Sequence, residues 1–167
     1  MRLSGEDSFA EAVAGEPIKG SWWGHPKGKE IFNLANALEA ECVFVKLIDG
    51  KETIVHESLY AALARVVTDE EWRAERIEKL SKDAKKLLRE VEKSGAVRGA
   101  PAKARLELQR ALLVHSAEEH TESGKHVTVL QPWAKWITKD VAKAAKKLSL
   151  TEALRELAPG ARGPRET

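Results

Sequence analysis

Cysteine, methionine and tyrosine each occur only once in this chain of 167 residues, and phenylalanine occurs three times. The single thiol, Cys42, excludes an internal disulfide and a zinc site built from several cysteines. Because Cys42 begins the apolar run Cys42–Val45, we expect it to be a buried small residue.

Long hydrophobic runs are also absent, since no uninterrupted apolar stretch approaches the roughly 18 residues of a membrane span. The first residues include Arg2 but also Glu6, Asp7 and Glu11, with no apolar segment, so we expect no signal peptide. A cytoplasmic protein without a membrane partner is the remaining expectation.

The net charge is small, because 28 Lys and Arg nearly balance 26 Asp and Glu to leave +2. A uniformly basic protein is thereby excluded, and an anion-binding surface would require local segregation of charge. The glycine-rich phosphate loops and the Gly-x-Ser-x-Gly motif are missing as well. We therefore expect no cofactor.

The least ordinary segment is Gly20–Glu30, where two of the five tryptophans are adjacent and three basic residues follow. On a strand the two rings would point to opposite faces, whereas on a turn both are partly exposed. An exposed ring beside cations suits a nucleic acid or another anionic ligand. The alternative is that one ring caps the core and the other packs under a loop. The candidate binding residues here are Trp22, Trp23, His25, Lys27 and Lys29.

Hydrophobic periodicity predicts an α+β fold that is mostly helical, with two short β-hairpins. Between 18 and 67 we expect a helix over 29–39 with the apolar stripe Ile31, Leu34 and Leu38, then strands near 43–48 and 52–56 around Asp49-Gly50. A helix capped by Ser58 should follow. The hairpin residues expected to be buried are Val43, Val45, Leu47 and Ile54.

The region 68–136 begins with Thr68-Asp-Glu-Glu, which predicts a capping box, and its first helix should stop or bend near Ser81. A second helix should end at Ser94-Gly95. A helix over about 102–112 and a hairpin with the loop Thr121–Lys125 complete this region. We expect an arm at 1–17, further helices within 137–158 and a disordered tail at 159–167.

The run Leu80–Val97 resembles the opening helix of winged-helix DNA-binding domains, in which a second helix and a two-stranded wing follow. The resemblance implies a recognition helix at 105–113 and a wing at 113–130, although only the link Ala96–Pro101 lies where a middle helix is expected. Acidic residues also occupy the wing, among them Glu118, Glu119 and Glu122. The residues that the resemblance implies as DNA contacts are Arg98, Lys103, Arg105, Arg110 and Lys125. The alternative is that these cations are ordinary surface charges balanced by nearby glutamates.

The functional hypotheses therefore differ in class. The first is a nucleic-acid-binding protein, with DNA favoured over RNA. The second is a protein-interaction module that docks a partner through Trp133, Trp136 and the charged helix. The third is a DNA-lesion lyase or glycosylase in which Lys27 or Lys29 forms a Schiff base and His25 acts as acid or base.

A metal site is not predicted. The histidines at 56, 115, 120 and 126 follow no metal-ligand spacing. His120 and His126 are nonetheless expected to be cross-strand neighbours on the second hairpin.

Overall fold

The computed structural model describes residues 1–120 and 124–158, and its chain divides into two units, Met1–Ser58 and Leu59–Thr167. Helices predominate, and the strands form one two-stranded and one three-stranded antiparallel sheet. The predicted α+β class is thus confirmed. No helix in the described ranges is long and apolar enough to span a bilayer.

The first unit contains two helices and one hairpin: α1 Phe9–Ala14, α2 Gly28–Leu38, β1 Cys42–Ile48 and β2 Lys51–His56. Helix α1 lies in the segment predicted to be an arm. Ser8 caps its start by accepting from the Glu11 amide, and Gly15 ends it in the left-handed conformation at φ 78°. Six residues are too few for a periodic signal, which is why the sequence did not reveal this helix.

The predicted hairpin is confirmed, with Asp49 and Gly50 both at positive φ between the two strands. Val43 lies opposite Val55 and Val45 opposite Thr53, and all four are buried. Ile54 is also buried but faces Phe44, on the other side of the sheet.

The expectation that Leu47 is buried was wrong, because it is only half-buried. The register shifts between Val45 and Ile48, and such an irregularity re-aims the side chains beside it.

Seven helices lie in the described part of the second unit: α3 Tyr60–Val67, α4 Glu70–Glu78, α5 Lys82–Ser94, α6 Ala102–Arg110, α7 Trp133–Trp136, α8 Lys139–Ala145 and α9 Leu150–Leu157. Helix α5 starts at the Ser81 cap and ends at Gly95, as predicted. The predicted helical region after α7 consists of two helices, because the chain leaves α8 after Lys146 and Ser149 forms a new capping box with Glu152.

Two predicted helix caps were wrong. Leu59, not Ser58, precedes α3, and the Ser58 hydroxyl lies 3.2 Å from His56 Nδ1. Thr68 ends α3, its hydroxyl donating to the Ala64 carbonyl, whereas the Asp69 carboxylate accepts from the Trp72 amide at 2.9 Å and starts α4. That amide, together with Arg65, lowers the pKa of Asp69.

The three-stranded sheet contains β3 Val97–Arg98, β4 His115–His120 and β5 His126–Gln131, in the order β3-β5-β4. Its short first strand lies in a link expected to be irregular. The apolar stripe of α5 packs with α6 and the sheet in one cluster. These contacts anchor the inner face of α6 in the core. Main members of this cluster are Ala84, Leu87, Leu88, Val91, Ala104, Leu108, Leu113 and Leu130.

The predicted hairpin loop joins β4 to β5. Gly124 has a φ of 75°, a left-handed conformation that glycine adopts readily, while residues 121–123 and the predicted tail at 159–167 lie outside the described residues.

Candidate functional site

The tryptophan pair lies on a 3₁₀ turn, Trp22–Gly24, whose start is capped by the Ser21 hydroxyl. The two rings stack with centroids 4.1 Å apart at an interplanar angle of 22°. Trp22 is half-buried, but Trp23 is 64% exposed. One ring therefore supports the other, and only Trp23 offers a large surface to a ligand.

Gly28 allows this turn to lie directly on the start of α2. A Cβ atom at position 28 would stand 2.9 Å from the Trp22 carbonyl oxygen and 3.1 Å from that of Trp23. The Gly28 amide also donates to the His25 carbonyl at 2.8 Å. Any larger residue at this position would displace the turn that presents Trp23.

His25 and Lys27 hold the turn to its surroundings. The Lys27 amide donates to His25 Nδ1 at 3.2 Å, so Nε2 carries the proton and donates to Glu16 Oε1 at 3.0 Å. Lys27 Nζ donates to the carbonyls of Ala14 at 3.0 Å and Val13 at 3.3 Å. These carbonyls belong to the last turn of α1, where helices leave acceptors unpaired. Both predicted ligand contacts thus have intramolecular partners.

Lys29 is the loop cation that stays available. It is exposed in the first turn of α2 and forms no hydrogen bond or ion pair with the described residues. Together with Pro26, Glu30, Asn33 and Leu34 it lines an open depression of about 480 Å³.

Phe32 extends the exposed aromatic surface, which was not foreseen. Its ring lies 5.3 Å from that of Trp23 and is 37% exposed. We call Trp22, Trp23 and Phe32 the aromatic patch. The sequence could have indicated this exposure, because Phe32 lies outside the predicted apolar stripe of α2. The assignment of Leu34 to that stripe was wrong: Ile31 is buried, whereas Leu34 is 43% exposed.

Helix α6, implied to be a recognition helix, presents a cationic face. Ala104 and Leu108 are buried, whereas Lys103 and Arg110 are exposed and seven residues apart, which places them on one face. Neither side chain forms a hydrogen bond or ion pair with another described residue. Glu107, on the same face, accepts from the Ser81 amide at 3.0 Å. That amide, the Ser81 side chain and the nearby Lys103 lower the pKa of Glu107.

The other implied DNA contacts lie against the sheet. Arg98 forms a bidentate salt bridge with the carboxylate of Glu119, at 2.9 and 3.0 Å. This interaction raises the pKa of Arg98. Arg105 Nη1 donates to the Thr128 hydroxyl at 3.0 Å, and that hydroxyl donates to Glu118 at 2.7 Å. A glutamate of the hairpin thus pairs directly with Arg98, whereas Arg105 is linked to Glu118 only through Thr128.

Lys125, the last implied contact, is exposed and immediately precedes β5.

Trp133 and Trp136, predicted to dock a partner, pack inside the second unit instead. Trp133 is only 3% exposed, and its Nε1 donates to the Leu112 carbonyl at 2.7 Å. Trp136 is half-buried and packs edge-on against Tyr60. The side of α7 that carries both rings therefore faces inward.

The four histidines lie on three strands, β2, β4 and β5. His56 lies in the first unit, while His115 packs against Trp133 and Trp136. His120 and His126 pair directly across the hairpin, which confirms that they are cross-strand neighbours. Within the described ranges, no three His, Cys, Asp or Glu residues form a group that could hold a metal ion.

Comparisons with protein-family models, curated proteins and solved structures find no match for this chain. Its function must therefore be inferred from these side chains.

Proposed function

We propose that this protein binds nucleic acid, with DNA as the preferred partner, and that the exposed face of α6 contacts phosphates. The observation that carries the proposal is the pairing of Lys103 and Arg110 on one exposed face of a helix whose opposite face is anchored in the core. The order α5, α6 and the β4–β5 hairpin also agrees with the winged-helix resemblance, except that the short strand β3 stands where a middle helix is expected.

The geometry of α6 suits a backbone contact. Seven residues along a helix separate Lys103 and Arg110 by about 10 Å, which corresponds to about three nucleotides of one strand at 3.4 Å each. The acidic residue between them, Glu107, has its carboxylate turned to Ser81. DNA is favoured because the B-form major groove admits a helix, whereas the deep, narrow major groove of A-form RNA does not.

Trp23 and Lys29 supply a second, separate element of this proposal in the first unit. An exposed ring accepts the face of an unpaired base whatever its identity, and a free cation favours the adjoining phosphate. Trp22 covers one face of the Trp23 ring. The remaining exposed surface of Trp23 is available for this contact.

Salt-dependent binding tests the α6 assignment. Fluorescence anisotropy with a labelled duplex and a labelled single strand is measured between 50 and 200 mM salt. We expect K103Q/R110Q to reduce the slope of log K against log salt on the duplex by about 1.8, since each phosphate contact contributes about 0.9. The control K19Q/K51Q removes two exposed lysines of the first unit and should leave the slope unchanged. Absence of wild-type binding to either probe at 50 mM salt would refute the proposal.

A second candidate function, binding of a protein partner, is favoured by the aromatic patch. Trp23 and Phe32 are in contact and exposed, and exposed aromatic clusters are common at the centres of protein interfaces. In a pull-down, a protein retained by the wild type and by K19Q/K51Q but not by Trp23→Ala would support this function, provided that Trp23→Ala binds nucleic acid normally.

No catalytic role is proposed for the loop lysines. A Schiff-base lysine is activated by burial or by a neighbouring cation. Lys27 Nζ instead donates to two carbonyls, and Lys29 is exposed.

A further inference from the structure

Helix α8 and the turn after it carry four exposed lysines on one side. We call Lys139, Lys143, Lys146 and Lys147 the lysine stripe. Their spacing of four, seven and eight residues from the first places them on one helical face. Helix α8 packs against α3, and Ala145 is buried.

The charge of the stripe is not neutralised nearby. None of the four ammonium groups forms a hydrogen bond or ion pair with any residue that the structure describes. The segment 135–147 contains five lysines and one acidic residue, Asp140, a net charge of +4. Because the whole chain carries only +2, the remainder carries −2. This is the local segregation of charge that a polyanion-binding surface requires.

Stabilisation of α8 does not explain the whole stripe. Lys139 is its first residue, where the helix dipole disfavours a cation. Lys139 and Lys143 are like charges four residues apart within α8, which destabilises a helix. Only the lysines near the last turn benefit from the dipole. Stabilisation of the helix therefore explains the lysines at its C-terminal end but not Lys139 at its start.

We propose that the lysine stripe binds consecutive phosphates of a nucleic-acid strand, an inference that rests on the proposed function. Eight positions at 1.5 Å each give a length of about 12 Å, which equals the rise of three to four nucleotides along the axis of a duplex. A membrane fits less well, because an interfacial helix inserts large apolar side chains. No residue of α8 is among the exposed large hydrophobic residues that the structure describes.

The expected effect is large. Four phosphate contacts contribute about 3.6 to the slope of log K against log salt, so the contribution of the stripe falls about 150-fold between 50 and 200 mM salt. The two cations of α6 contribute about half that slope. The stripe should therefore supply most of the electrostatic affinity.

The test compares K139Q/K143Q/K146Q/K147Q with wild type in the same anisotropy titrations. Its matched control is K19Q/K51Q/K82Q/K86Q, which removes four exposed lysines elsewhere. We expect the stripe variant to lose a slope of about 3–4 while keeping its melting temperature within a few degrees, and the control to bind normally.

Four outcomes would overturn the inference. A stripe variant with the wild-type slope, or a control that loses as much slope, would refute the role of the lysine stripe alone and leave the α6 result to decide the proposed function. A wild-type protein that binds neither probe would refute both. Stripe-dependent binding to phosphatidylserine vesicles without binding to nucleic acid would assign the stripe to a membrane surface instead.

Discussion

Replacement of Trp23 by alanine separates a binding residue from a core residue. A tryptophan has on the order of 250 Å² that it can bury, and Trp23 is 64% exposed. About 90 Å² is therefore removed from water, which corresponds to about 2 kcal/mol of unfolding free energy. This value is an upper bound, because the unfolded chain also buries some surface. We expect Trp23→Ala to cost 1–2 kcal/mol, roughly.

Binding should respond at least as strongly as stability. Stacking on an aromatic ring contributes roughly 1–3 kcal/mol per base, so affinity for a single strand should fall by about 5- to 150-fold. Trp22→Ala is the matched control. Since Trp22 is half-buried, its loss should cost more stability, approaching the roughly 3–5 kcal/mol of a core tryptophan.

Urea unfolding followed by circular dichroism gives the stability, and anisotropy with a labelled single strand at 50 mM salt gives the affinity. A Trp23→Ala variant that loses as much stability as a core variant, with unchanged affinity, would show that Trp23 is a core anchor. Normal stability with unchanged affinity would remove the stacking role and leave the aromatic patch to the protein-binding candidate.

Three further predictions concern side chains with structural roles. Lys27→Met should lower the unfolding free energy by about 1–2 kcal/mol without weakening nucleic-acid binding, because Lys27 Nζ bonds the end of α1; weaker binding at unchanged stability would contradict this. Burial lowers the pKa of His115, so the unfolded chain takes up a proton below about pH 6.5 that the folded one resists. Stability should therefore fall between pH 7 and pH 5, and an unaltered pH dependence of the urea midpoint in His115→Leu would refute that cause. Cys42 is buried and its pKa is raised, mainly by burial, so a chromogenic disulfide reagent should react far more slowly with the native than with the urea-unfolded protein; equal rates would contradict the burial.

Features governed by neighbouring residues were predictable. The Asp49-Gly50 turn forms because both positions tolerate positive φ between two strand-forming runs. Helix α5 follows its apolar stripe from Ser81 to Gly95. In both cases the signal and the structure occupy the same short stretch of chain.

Competition between adjacent residues was less predictable. Thr68 and Asp69 are both good caps, and α4 starts from Asp69 because α3 extends far enough to use the Thr68 hydroxyl.

Strand β3 pairs with β5, about thirty residues away in sequence, and no local pattern indicates such a partner.

The candidate sites likewise have features that the sequence determines and features that depend on the tertiary structure. The sequence by itself determined that two tryptophans and three basic residues share one loop, and that lysines recur at helical spacing after Thr138. Only the tertiary structure decided that Lys27 reaches the end of α1 and that Arg98 meets Glu119, twenty-one positions along the chain. A side chain's partners depend on which distant segments the core brings beside it, so residue type fixes what a cation is able to bind and packing fixes whether it remains free to do so.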